Sequence, residues 1–246
     1  MLWYKRRLIV LLCFMTAVLA GSLIYIRMPG GAGHPLFQAG KGKKERMLDY
    51  MKEKYGEEFV DEEAYGGQLG KAYVMRRVHS ISRPKDSVLV RAMGEEEEIF
   101  QDNYLAYLLR DEIEERMKGL ATEVFGECKV FYKIPELVFP SEFSADMEVD
   151  AFLRHPLSMV RIYVYVKDCP LDRQRQADDF LSTLSKEGYL IGGVISYSAG
   201  EEMYEMITAD NFVGDIYHGY RREAEAVFSM KKRKELSYLR WNSSLE

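Results

Sequence analysis

Histidine and cysteine are scarce in this sequence, four of the one and three of the other. His34, His79, His155 and His218 stand singly, and none belongs to an H-E-x-x-H or similar paired spacing. No C-x-x-C occurs either, so the common structural-zinc and dithiol signatures are excluded. Each histidine therefore reads as a surface or structural residue. A serine nucleophile would need G-x-S-x-G on a strand-to-helix turn. Ser196 and Ser198 lie between Gly193 and Gly200, at the wrong glycine spacing. Cys128 and Cys169 have no local signature of a cysteine nucleophile. Gly66-Gly67-Gln68-Leu69-Gly70-Lys71 falls short of a phosphate-binding loop: three residues separate its outer glycines, and Ala72 replaces the hydroxyl. A glycine-rich hairpin is the plainer reading. No catalytic group, cofactor site or metal site is assigned from the sequence, and a binding role is favoured over an enzymatic one.

Basic charge is also lacking. The net charge is −5, and the first 27 residues hold four cations and no acid. The remainder thus carries 30 Lys and Arg against 39 Asp and Glu, a balance of −9. Nucleic acid requires basic surface, so it is excluded as a partner. Low complexity is absent too: 47% apolar and 13% aromatic residues are the composition of a packed domain.

What the sequence does have is one long uncharged run. Lys5-Arg6-Arg7 is followed by nineteen residues without a charge, Leu8 to Ile26. That length suits a helix crossing a bilayer. Its eleven Leu, Ile, Val and Phe residues contribute about −5 kcal/mol of insertion free energy. The cations before the run predict a cytoplasmic N-terminus, a single pass and an extracytoplasmic remainder. The rival is a signal peptide cleaved after Val18-Leu19-Ala20, which would release a secreted protein. Apolarity resumes at Leu23-Ile24-Tyr25-Ile26, beyond that cut, and this favours the anchor.

The organisation expected is a stub and anchor over 1–28, a glycine-rich linker over 29–42 and an α+β domain over 43–246. Residues 128–200 are a candidate sub-lobe. Within the domain a helix is expected over Lys43 to Tyr55, then strands near Phe59–Tyr65, Ala72–Ser80, Val88–Ala92 and Ile99–Gln101. Arg83-Pro84-Lys85-Asp86 is expected to turn. Apolar residues from Leu105 to Val124 recur at helical spacing between Asp102 or Asn103 and Gly126. Strands follow at Cys128–Ile134, Val160–Val166 and Leu190–Tyr197, with helices at Asp146–Arg154, Asp172–Lys186 and Glu201–Thr208. Tyr217 to about Leu239 reads as a last helix. The simplest assembly is one mainly antiparallel sheet with helices mostly on one face.

Three surface features complete the reading. Arg161, Tyr163 and Tyr165 alternate with Val160, Ile162, Val164 and Val166, so they form a candidate binding face or lie beneath a helix. Cys128 and Cys169 would fall outside the cytoplasm, where they either pair as a disulfide or remain two buried thiols. Lys231-Lys232-Arg233-Lys234 either touches anionic lipid or completes the last helix, the second being favoured. Glu95 to Glu98 reads as a solvated turn.

The phrases Met51-Lys-Glu-Lys-Tyr-Gly-Glu-Glu-Phe59, Asp102-Asn-Tyr-Leu-Ala-Tyr107 and Phe125-Gly-Glu-Cys-Lys-Val130 together resemble uncharacterised membrane-anchored or secreted proteins of Gram-positive anaerobic bacteria. The resemblance covers residues 43 to 200. It implies a bacterial extracytoplasmic α+β domain and no assigned activity. The expected partners are the bilayer, through residues 8–26, and another envelope protein.

Overall fold

The computed structural model of the chain describes residues 35–65, 73–94, 99–214, 219–230 and 238–241, with side chains from residue 42 onward except that of Tyr238. By contact the chain divides into Met1–Glu45 and Arg46–Glu246. The described part of the first unit is helical backbone from Pro35, and every described strand belongs to the second. Among the described residues no helix is long and apolar enough to cross a membrane, and residues 8–26 lie outside them.

Helix α1 spans Pro35–Tyr55. It starts earlier than the expected Lys43, so residues 35–42 have helical backbone where a linker was expected. Proline suits a first helical position because its φ is already set and its missing N–H is not needed there. Met47 and Met51 are fully buried, and Tyr55 packs beside them. They cover an antiparallel sheet of four strands in sequence order: β1 Phe59–Ala64, β2 Tyr73–Ser80, β3 Arg83–Met93 and β4 Ile99–Asp102. Val78, Val88, Val90 and Ala92 line the face beneath α1. The turn between β2 and β3 falls at Ile81 and Ser82, not at Arg83–Asp86. Pro84 is tolerated inside β3 because the register with β2 slips there and β4 pairs only with Val90–Met93.

Helices α2 Tyr104–Leu108 and α3 Arg110–Phe125 follow, separated only by Leu109. Ile113, Met117, Ala121 and Phe125 form the buried stripe of α3. It packs on a second sheet of five strands: β5 Cys128–Lys133, β6 Arg161–Val166, β7 Gly192–Ser198, β8 Arg222–Ser229 and β9 Tyr238–Trp241. Helix α4 Val149–Arg154 precedes β6, and α5 Arg173–Glu187 crosses from β6 to β7. That crossover is helical because β6 and β7 are parallel, whereas the other pairs are antiparallel. Ala177, Phe180 and Leu184 of α5 join α3 over the sheet. Gly188, at φ 71°, ends α5 in the left-handed conformation that glycine adopts most easily. Helix α6 Glu201–Met206 lies after β7.

Two further expectations are corrected. There are two sheets, mostly antiparallel, rather than one. The final segment forms strands, not a helix: Arg222–Ser229 pairs with β7, and Tyr238–Trp241 pairs with β8. Alanine and glutamate in Arg222-Glu-Ala-Glu-Ala-Val-Phe-Ser favour helix locally, but the open edge of β7 supplies a full ladder of backbone partners. The second sheet therefore extends past the expected sub-lobe limit at residue 200.

Asn103 joins the two halves. It is 1% exposed. Its side-chain oxygen accepts from Leu89 N–H at 2.8 Å, and its amide donates to Pro135 O at 2.9 Å. The neighbouring Asp102 carbonyl accepts from Phe139 N–H at 2.8 Å.

Candidate functional site

A dense polar cluster lies where α1 meets β4. Asp102 is 1% exposed. Tyr50 and Tyr55 donate their hydroxyls to its two oxygens at 2.7 and 2.6 Å, and Lys54 Nζ lies at 2.8 Å. Tyr104 N–H donates to the same carboxylate at 2.9 Å, which opens α2. Burial and then the Asp102 charge push both tyrosine hydroxyls far above the ordinary phenol range. A neighbouring cluster centres on Glu57, which accepts from Ser80, Ser82 and Tyr104. Burial pushes the Glu57 carboxyl up, but those hydroxyls and the Arg83 charge outweigh it, and the net shift is below the ordinary carboxylate range. Both clusters are closed on themselves. They clasp α1 to the sheet and leave no carboxylate oxygen of Asp102 open to a substrate.

Among the described residues a concave surface runs elsewhere, along the outer side of α3. Two adjoining hollows of about 490 and 510 Å³ share Glu112, Arg116 and Val149. One wall is α3 and the other is the segment Ala145 to Asp150. Six carboxylates line them (Glu112, Glu115, Glu123, Asp146, Glu148, Asp150) against the single guanidinium of Arg116. Arg116 meets Asp150 at 3.2 Å, and Arg154 and Tyr189 also reach Asp150, at 3.4 and 2.9 Å. The other five acids are exposed. Gly119, in the floor, sits mid-helix, and a Cβ there would meet no atom within 4 Å. The groove can accept positively charged groups. Among the described residues no three His, Cys, Asp or Glu side chains converge to hold a metal ion.

The residues singled out from sequence are not brought together here. Tyr165 is buried, with its hydroxyl donated to Phe212 O at 2.8 Å and Met203, Ile207 and Tyr220 around it. Tyr163 is half-buried against the Phe212 ring at 5.4 Å. Arg161 alone is exposed, its guanidinium 5.9 Å from the Tyr163 ring. Tyr165 is covered because α6 and the chain after it fold back over β6. Cys128 and Cys169 are free thiols. Cys128 faces Thr122 Oγ1 at 3.7 Å, and burial raises its pKa. Burial and then the Glu223 charge raise that of Cys169, which lies by Arg173. The two thiols point to different neighbours.

His79 Nδ1 pairs with Glu62 at 3.0 Å, and the His155 ring packs on Phe143 at 4.5 Å. Ser196 and Ser198 are buried and bonded to Glu225 and Tyr220, at 3.4 and 3.0 Å. The Gly66–Lys71 motif, Glu95–Glu98, Lys231–Lys234, His34 and His218 lie outside the described residues. Sequence reasoning missed the groove. The acids of α3 are close in sequence, but the opposing acids at 146–150 meet them only through the fold.

No family model matches the chain, and no curated protein matches it. Among solved structures it is similar to a DUF5037 family protein from Ruminococcus gnavus, at 16% identity and a TM-score of 0.40, over 75% of this chain and 90% of that one.

Proposed function

We propose that this is a single-pass membrane protein whose extracytoplasmic α+β domain acts by binding a positively charged segment of another envelope protein. The anchor reading is supported by the uncharged run Leu8–Ile26 behind Lys5-Arg6-Arg7. The binding reading is carried by one observation: the groove on α3 sets six carboxylates against one guanidinium. Such a concave, predominantly acidic surface attracts and orients cationic groups more than it tightens their binding.

The test is site-specific photocrosslinking in intact cells. A crosslinker replacing exposed Glu115 should capture a partner peptide rich in Lys and Arg, while one replacing Asp178, on the exposed side of α5, should not. Charge reversal at Glu112 and Glu148 together should abolish the adduct. An adduct that persists after reversal, or that appears equally from Asp178, sinks the groove as the binding site. External protease that leaves residues 43–246 intact in whole cells sinks the topology.

A further inference from the structure

One ion pair crosses the groove from wall to wall. Arg116 of α3 reaches Asp150 of α4 at 3.2 Å. Arg116 lines both hollows, together with Glu112 and Val149. Gly119, Leu120 and Glu123 line one hollow alone, and Asp146, Met147 and Glu148 line the other alone. The Arg116–Asp150 pair therefore stands between the hollows and divides them.

The acids are neutralised unevenly. Among the described residues Asp150 is the only one of the six in an ion pair, and the other five carboxylates have none. The one cation lining the groove is thus committed to one acid. Asp150 does not depend on it. Arg154, one turn along α4, lies at 3.4 Å, and the Tyr189 hydroxyl donates at 2.9 Å. Arg154 is itself fixed, its Nε donating to Glu187 O at 2.8 Å. Arg116 is held less. Its side chain is 46% exposed, and Asp150 is its one ion-pair partner among the described residues. A solvated pair of that kind adds little to stability. Once released, Arg116 has Glu112 one turn back on the same helix, the favoured order for a helical acid–base pair.

We infer that Arg116 is a built-in stand-in for the partner. Its guanidinium holds the position on Asp150 that a cationic side chain of the bound segment takes. Binding is an exchange in which Arg116 swings off Asp150, and the exchange joins the two hollows into one continuous groove. A tethered competitor acts at high effective concentration, so a segment with little positive charge does not displace it. Arg116 thereby sets how cationic the partner must be. The inference rests on the groove reading above and adds the contact that regulates it.

The full chain, in neutral detergent, is titrated with a rhodamine-labelled octapeptide of alternating arginine and glycine, and binding is read by anisotropy. Arg116→Gln and Lys118→Gln each remove one positive charge from α3, but Lys118 lines neither hollow. Arg116→Gln should tighten binding by about five- to tenfold, and Lys118→Gln by less than about twofold. Asp150→Asn should weaken the Arg116→Gln variant by about five- to tenfold yet alter the parent by less than about twofold, because in the parent it removes the anion and frees its competitor together. Equal tightening by the two α3 substitutions overturns the inference, since Arg116 would then act only as one more like charge. So does an Asp150→Asn effect that is the same in both backgrounds. The α3 comparison decides by itself if Asp150→Asn does not fold. Charge reversal at Glu112 and Glu148 separates the two readings. Where reversal abolishes peptide binding, the groove stands and the Arg116 comparison judges this inference alone. Peptide binding that survives reversal, or that is absent from the parent and Arg116→Gln alike, defeats the groove and this inference with it.

Discussion

The two sheets of this protein are covered in different ways. Over the first, a helix is fastened by charge: Asp102 collects Tyr50, Lys54, Tyr55 and the Tyr104 backbone, and Glu57 collects two serines and a tyrosine. Over the second, α3 and α5 are held by apolar and aromatic packing, with Phe125 against Phe180 and Phe180 against Phe228. Four strands under one helix bury a small apolar cluster, whereas five strands under two helices bury a large one. Where apolar area is limited, directional bonds to a buried carboxylate fix the position of the helix. Such a cluster contributes little when whole compared with an apolar equivalent, but it is costly to break.

The comparison can be broken hardest at Asp102. Asp102→Ala leaves the Lys54 charge and two buried hydroxyls without their acceptor, and it should cost about 3–5 kcal/mol in denaturant unfolding. Hydrogen exchange should rise first in residues 46–55 and in β1 to β4. Uniform loss of protection across both sheets would show that the clasp is not local to the first.

The second sheet has its own weak point. Gly193 lies between β6 and β8, where a Cβ would fall 2.2 Å from Ile162 O and 2.9 Å from the Phe228 ring. Backbone cannot yield as a side chain can, so Gly193→Ala should cost about 1–3 kcal/mol by overpacking. A variant as stable as the parent would mean that β6 and β7 are not paired as described.

Acid should act on the first sheet. The folded Glu57 carboxyl is held below its ordinary value, so its contribution is present above the unfolded pKa and is lost as pH falls through the folded one. Below about pH 4.5 the Tm of the parent should fall more steeply than that of Glu57→Gln. Parallel curves would remove Glu57 from the clasp.

The smallest effect has the opposite sign. Gly119 is mid-helix in α3, and a methyl group there meets nothing. Gly119→Ala should therefore stabilise the domain by about 1 kcal/mol from helix propensity alone. Paired with weaker crosslinking from the groove, it would show that the glycine leaves room for the partner; crosslinking that is unchanged would separate the glycine from binding.

Elements with strong periodicity were legible. The stripe positions Ile113, Met117 and Ala121 and the alternation of β6 follow from local spacing. The last two strands were not, because alanine and glutamate favour helix until the edge of β7 is there to pair with. Asp102 was legible only as a helix-starting residue, which it is through Tyr104 N–H. Its larger part depends on Tyr50 and Tyr55, 52 and 47 positions away in the chain.

The sequence by itself determined the acidic balance, the apolar N-terminal run and the helices and strands whose periodicity is strong, because these depend on composition and on neighbours a few residues apart. Tertiary structure alone decided that the strands divide into two sheets, that Tyr165 is covered and that acids from α3 and from residues 146–150 face one groove. Those outcomes depend on contacts between distant segments, which local spacing does not encode.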